Sequence, residues 1–187
     1  MPKSEWFEKL GKGRSMKKLD AYSVSIGVLG AVDTFLTATV ILVPVWVTFI
    51  AWASFFILGG KSSGLKQSIA SNLTGIVIAS LTLLAITALG ANPFIAAVCV
   101  GLGSAAMVQA SKVPLLTVIP AIVWGFASTV GTTVATGVPI TTVGLANPGL
   151  VAAAAMILGG LFGYLSEFWG DAMTTSEVTA VRNQTRA

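Results

Sequence analysis

The sequence predicts an all-helical membrane protein of six transmembrane helices with both termini in the cytoplasm, and three observations predict it. The first is composition. Of 187 residues, 55% are hydrophobic and only 10% charged, and the mean hydropathy is +0.87. A soluble domain usually carries about 25% charged residues, so too little charge is present to cover a water-facing globule. The second is the length of the uncharged stretches. Between Ala21 and Gly60 the only charge is Asp33, and none occurs from Gln67 to Ser111 or from Val113 to Ser166. The third is where the basic residues fall, which is taken up once the spans are placed.

A spanning helix takes about 20 residues at 1.5 Å per residue, so each stretch holds roughly two. Each also breaks near its middle. The first breaks at Thr39 to Pro44, where proline removes a donor and restricts Val43 before it. The second breaks at Gly90-Ala91-Asn92-Pro93, a turn signature. The third breaks over Ala135 to Pro148, rich in Gly, Thr and Pro. The helices expected are 21–40, 42–59, 67–89, 94–111, 115–135 and 148–167, which make a transmembrane domain over 21–167. A basic head (1–20) and a tail (168–187) flank it. The first pair has barely enough residues for two crossings, so a short helix or a sunken turn is expected there. With the head in the cytoplasm, Lys61, Lys66, Lys112, Arg182 and Arg186 fall on the same side, so all eleven Lys and Arg do. That is the positive-inside pattern.

The same placement explains the net charge of +4 without a nucleic-acid partner, since a basic stripe is replaced by loop asymmetry. Trp6, Phe7 and Leu10 among Lys3, Lys9 and Lys12 suit either an amphipathic helix on anionic lipid or a loose basic tail. The head is not expected to be a cleaved leader, because its basic stretch is long and no short apolar core with a small-residue site follows. There is no histidine, which removes the commonest metal ligand and general base. The lone Cys99 excludes an intrachain disulfide. No nucleophile–base pair can be assembled, so no enzyme, metal or cofactor is expected.

Asp33 is the one ionisable side chain deep in an apolar stretch, about 20 Å beyond Asp20 at helical rise. An intramembrane carboxyl is costly and marks a proton, cation or solute site by default; the alternative is a structural hydrogen bond to Thr34, Thr37 or another helix. A shift of 74 residues lays Gly27-x-x-x-Ala31 on Gly101-x-x-x-Ala105 and Trp52-Ala53-Ser54 on Phe126-Ala127-Ser128. One further gap brings Asn72 onto Asn147. Two inverted three-helix repeats are therefore expected, an arrangement that puts permeation paths at the repeat interface. Asn72 and Asn147 would then open the third and sixth helices from opposite faces, either as caps or as amides offered to a solute. Thr37, Thr74 and Ser104 complete the pathway candidates. Gly159-Gly160-Leu161-Phe162-Gly163, Gly27/Ala31 and Ala127/Gly131 are small faces for close helix packing or for a homo-oligomer contact. Trp46, Trp124 and Trp169 suit interfacial or packing roles.

The segment Trp46-Val47-Thr48-Phe49-Ile50-Ala51-Trp52-Ala53-Ser54-Phe55-Phe56, with Gly59-Gly60 and Gly64-Leu65-Lys66, resembles the YcdZ-like family of short bacterial membrane proteins. The likeness continues through Gln109-Ala110-Ser111-Lys112 and Leu158-Gly159-Gly160-Leu161-Phe162-Gly163-Tyr164, over about residues 22–170. It implies a bacterial inner membrane and supplies no substrate. The function expected first is a channel or facilitator for a small neutral or weakly charged solute of urea-like size. A proton- or sodium-coupled transporter using Asp33 is the second expectation, and a non-transporting accessory or scaffold the third. The partners expected are the lipid bilayer and a small-molecule solute.

Overall fold

The computed structural model describes residues 16–174. Most of the expected head and of the tail lies outside them. Six α-helices follow in order: α1 Lys18–Thr39, α2 Val45–Ile57, α3 Lys61–Ala88, α4 Pro93–Ala110, α5 Ile119–Thr136 and α6 Pro148–Met173. A single 3-10 turn, Pro114–Leu116, precedes α5. No strand occurs among the described residues. All but α2 are long and apolar enough to cross a membrane. Large apolar side chains such as Phe35, Leu81, Phe94, Leu102 and Val134 lie exposed on these helices, a surface that water would not tolerate at this density. This is an all-helical membrane protein.

Local chemistry sets the helix ends. Asn92 accepts from the Ile95 amide at 3.0 Å with Pro93 as first helical residue, and Asn147-Pro148 repeats the arrangement at α6. Both are side-chain caps followed by a residue with no amide proton to lose. Gly137 closes α5 in the left-handed region at φ 67°, a conformation glycine adopts without strain.

Several bounds differ from those the sequence predicts. α3 begins at Lys61, six residues early, because Gly59 and Gly60 at φ 88° and 67° complete the reversal and leave no further breaker. α6 runs on to Met173 past the expected end at 167. α5 starts at Ile119 because the 3-10 turn takes up Pro114–Leu116. α2 is only 13 residues, about 20 Å, and so falls short of a hydrocarbon core of about 30 Å.

By backbone contact the chain forms two units. Among the described residues, one comprises 16–30 with 165–174, the start of α1 and the end of α6. There the Tyr22 hydroxyl donates to Asp171 Oδ1 at 2.9 Å and Ser25 Oγ donates to the Ser166 carbonyl at 2.7 Å. The other unit, 31–164, holds the remaining helices. Its core gathers Val47, Ala51, Ile76, Ala152, Ala155 and Met156 in one cluster and Ala79, Met107, Ile122 and Phe126 in a second.

Glycine lets backbones meet in this second unit. A Cβ on Gly75 would stand 1.9 Å from the Ile122 carbonyl oxygen, and one on Gly125 would stand 1.9 Å from that of Asn72, so α3 and α5 cross in direct backbone contact. α6 meets α2 the same way, with Gly159 against the Thr48 carbonyl and Gly163 against the Phe55 ring. Trp46 packs on Gly131. The expected small faces at Gly159/Gly163 and Gly131 are thus occupied within the chain.

Candidate functional site

Buried polar side chains of α1, α2, α3 and α5 form the candidate site. Asp33 is 0% exposed. Its Oδ2 shares a hydrogen bond with Thr48 Oγ1 of α2, and its Oδ1 has no partner. Thr48 Oγ1 also donates to the Val45 carbonyl one helical turn back at 2.7 Å. Thr37, four residues after Asp33, donates to the Asp33 carbonyl at 2.8 Å. Asp33 makes no ion pair among the described residues.

A second group lies between α2 and α3. Ser68 Oγ donates to Ser54 Oγ at 2.8 Å, Ser54 Oγ to Asn72 Oδ1 at 3.3 Å, and Asn72 Nδ2 to Ser68 Oγ at 3.3 Å. The three form a closed ring in which each donor is used once, and all are 0% exposed. Ser71 Oγ, Ser128 Oγ and Thr132 Oγ1 join Asp33 Oδ1 as buried oxygens without a hydrogen-bond partner among the described residues. Each such group costs on the order of 1–3 kcal/mol.

The two asparagines expected as a pair hold different kinds of position. Asn72 sits eleven residues into α3, because that helix starts at Lys61. Asn147 caps α6: its Nδ2 donates to the Ile140 and Thr142 carbonyls, both at 2.8 Å, and its Oδ1 accepts from Gly149 and Leu150. Its amide is saturated, with nothing left for a solute. Ser104 is exposed and bonds the carbonyl one turn back, and half-buried Thr74 does the same. Thr37 is buried beside Asp33. Thr48, Ser54, Ser68 and Ser71 escaped the sequence reading, although Ser68-x-x-Ser71-Asn72 stands at one-face helical spacing.

Burial nonetheless follows a repeat. The buried α2 residues Val47, Thr48, Ala51, Trp52, Ser54 and Phe55 fall, 74 residues on, upon Ala121, Ile122, Gly125, Phe126, Ser128 and Thr129 of α5, all buried. The same shift takes Ser25, Leu29 and Asp33 to Cys99, Gly103 and Met107, all buried. Between α3 and α6 the shift is 84. It takes Gly64, Ser68, Ser71, Asn72, Gly75, Ile76 and Ala79 to Pro148, Ala152, Ala155, Met156, Gly159, Gly160 and Gly163, each buried. The extra ten residues fall in the longer α5 and in 137–147, which joins α5 to α6 where only 58–60 joins α2 to α3. Asn72 therefore corresponds to Met156, not to Asn147. Both backbone crossings obey the rule, since Gly75 on Ile122 becomes Gly159 on Thr48.

The correspondence also exposes an asymmetry. Asp33, Thr48, Ser68, Ser71 and Asn72 have Met107, Ile122, Ala152, Ala155 and Met156 as counterparts. Ser54 keeps a hydroxyl counterpart in Ser128, but the counterparts of its partners are alanine and methionine, and Ser128 Oγ is unpartnered. The carboxyl, the amide and the serine ring belong to the first half, while the second keeps only the buried hydroxyls of Ser128, Thr129 and Thr132.

No curated protein and no solved structure matches the chain. The family match carries no activity with it, and it covers all six helices but the ends of the first and last. Residues 23–171 match the model of the family described as Protein of unknown function (DUF1097), and the chain belongs to that family.

Proposed function

We propose that this protein is a small-solute transporter of a bacterial inner membrane, with six spans, cytoplasmic termini and two inverted three-helix repeats, and that Asp33 is its ion-coupling group. It is not an enzyme in this reading. The observation that carries it is the fully buried Asp33 carboxyl, with one oxygen unpartnered and no ion pair. A carboxyl so placed in a membrane is retained at a cost and marks an ion or proton pathway. The matched burial of α1–α3 and α4–α6 supports the inverted repeat, since an odd number of spans per unit reverses the second unit's direction. The one-sided distribution of Lys and Arg supports the orientation.

A carrier fits better than the passive channel. The paired amides that favoured a channel are separate, one of them a saturated cap, and α3 meets α5 at backbone contact distance. The test uses proteoliposomes and a panel of urea, formamide and glycerol, with an imposed pH or sodium gradient. Gradient-driven accumulation should be lost in Asp33→Asn, which keeps the shape and removes the exchangeable charge. Passive uptake indifferent to both gradients and to Asp33→Asn would return the channel reading to first place.

A further inference from the structure

Among the described residues, the Asp33 carboxyl has too few oxygen partners for a metal cation and one hydrogen too few for a carboxylate. Thr48 Oγ1 carries a single proton, yet it lies within hydrogen-bond reach of two oxygens, the Val45 carbonyl and Asp33 Oδ2. The carbonyl can only accept. If Asp33 is an ionised carboxylate it also can only accept, and one proton must serve two bonds inside a membrane, where no water makes good the deficit. If Asp33 carries its proton on Oδ2, the count closes. Oδ2–H donates to Thr48 Oγ1, and Thr48 Oγ1–H donates to the Val45 carbonyl. The free Oδ1 is then the carbonyl oxygen of an acid, a cheaper group to leave unpartnered than an ionised oxygen.

A cation needs more. Hard metal ions in proteins gather about six oxygens or more. Here, among the described residues, the side-chain oxygen hydrogen-bonded to the carboxyl is Thr48 Oγ1, already engaged. Thr37 Oγ1 is turned to the carbonyls of Asp33 and Thr34. Nor does a neighbouring charge stand in for the missing proton. α2 has no ionisable residue, α6 has none before Tyr164, and α1 has only Lys18, Asp20 and Tyr22, near its start. We infer that Asp33 and Thr48 form a proton-binding site, holding a proton on Asp33 Oδ2 in a relay that ends on the Val45 carbonyl.

Resting on the transporter reading for its use, this site is tested without any transport. Infrared difference spectra of the full chain in proteoliposomes at neutral pH should show a carboxylic-acid C=O band, above the amide bands, that is lost in Asp33→Asn. The band should be the same in sodium, potassium and choline salts. Thr48→Val should keep the band and move it to higher frequency, because the acid survives without its oxygen partner; the amide I band reports folding in each spectrum. Absence of the band in the wild-type chain, its removal by sodium, or an unmoved band in Thr48→Val would each overturn the assignment. A band lost in Asp33→Asn, alongside solute uptake that ignores the same substitution, would uphold the proton site and defeat only the coupling role.

Discussion

Replacing Gly75 by alanine tests the helix crossing on which the candidate site rests. The new Cβ would lie 1.9 Å from the Ile122 carbonyl oxygen and 2.7 Å from the Phe126 amide nitrogen, whereas ordinary contacts begin at 3.4 Å. One backbone must therefore retreat by about 1.5 Å, and neither obstructing atom belongs to a side chain that can rotate away. Overpacking typically costs about 1–3 kcal/mol, and a backbone-on-backbone clash belongs at the top of that range, so Gly75→Ala should destabilise by about 3 kcal/mol or more. Gly125→Ala should act alike against the Asn72 carbonyl. The double variant should cost less than the two single ones together, since one separation relieves both clashes. Gly101, where nothing lies within 4 Å of the position a methyl group would take, is the control: alanine there should stabilise by about 0.5–1 kcal/mol. Thermal unfolding in detergent, followed by helix content, reads all four. A Gly75→Ala protein that melts with the Gly101→Ala control would refute the crossing.

Two more outcomes are expected. In a Cys99→Ala background, cysteines at Asn92 and Thr142 should label from outside intact cells, and those at Lys61 and Lys112 only from inside; outside labelling at Lys112 removes the six-span topology. Changing Ser68 to alanine and Asn72 to methionine gives the first half the residues of the second, and adding Ser54→Ala removes the last member of the ring. Removing every member of the ring should be nearly neutral for melting, whereas Asn72→Met alone should cost about 1–3 kcal/mol by leaving the buried Ser54 hydroxyl proton without its acceptor.

What the sequence made legible was whatever depends on neighbours in the chain. The breaks at Pro44, Asn92-Pro93 and 137–147 were visible because proline, glycine and asparagine act on their own backbone. So was the 74-residue shift, as α1 and α2 have the same spacing as α4 and α5. The shift between α3 and α6 was misread as nearly the same because Asn72 and Asn147 share a residue type. Their environments differ: one is inside a helix and 0% exposed, while the other turns its amide back on its own loop. Nothing local to Ser54 or Thr48 announces which helix each faces, so the ring and the Asp33 bond became visible only with the packing.

The asymmetry between the halves bears on where function lies. Positions matched in burial across the two halves face the same packing problem, and the second half solves it with Ile122, Ala152, Ala155 and Met156, all 0% exposed. Those side chains show that the geometry can be filled without polar groups. The first half fills the same positions with Thr48, Ser68, Ser71 and Asn72, and adds Asp33 where the second has Met107. Packing alone therefore does not require the polar set. It leaves Asp33 Oδ1 and Ser71 Oγ unpartnered, a cost of order 1–3 kcal/mol for each neutral group in a solvent that offers no water in exchange. The second half also holds unpartnered buried hydroxyls, Ser128 Oγ and Thr132 Oγ1, so what sets the first half apart is its carboxyl and its amide. A fold that fills their counterparts with Met107 and Met156 and still bears Asp33 and Asn72 here has a use for those two groups. Structural necessity would have placed them in both.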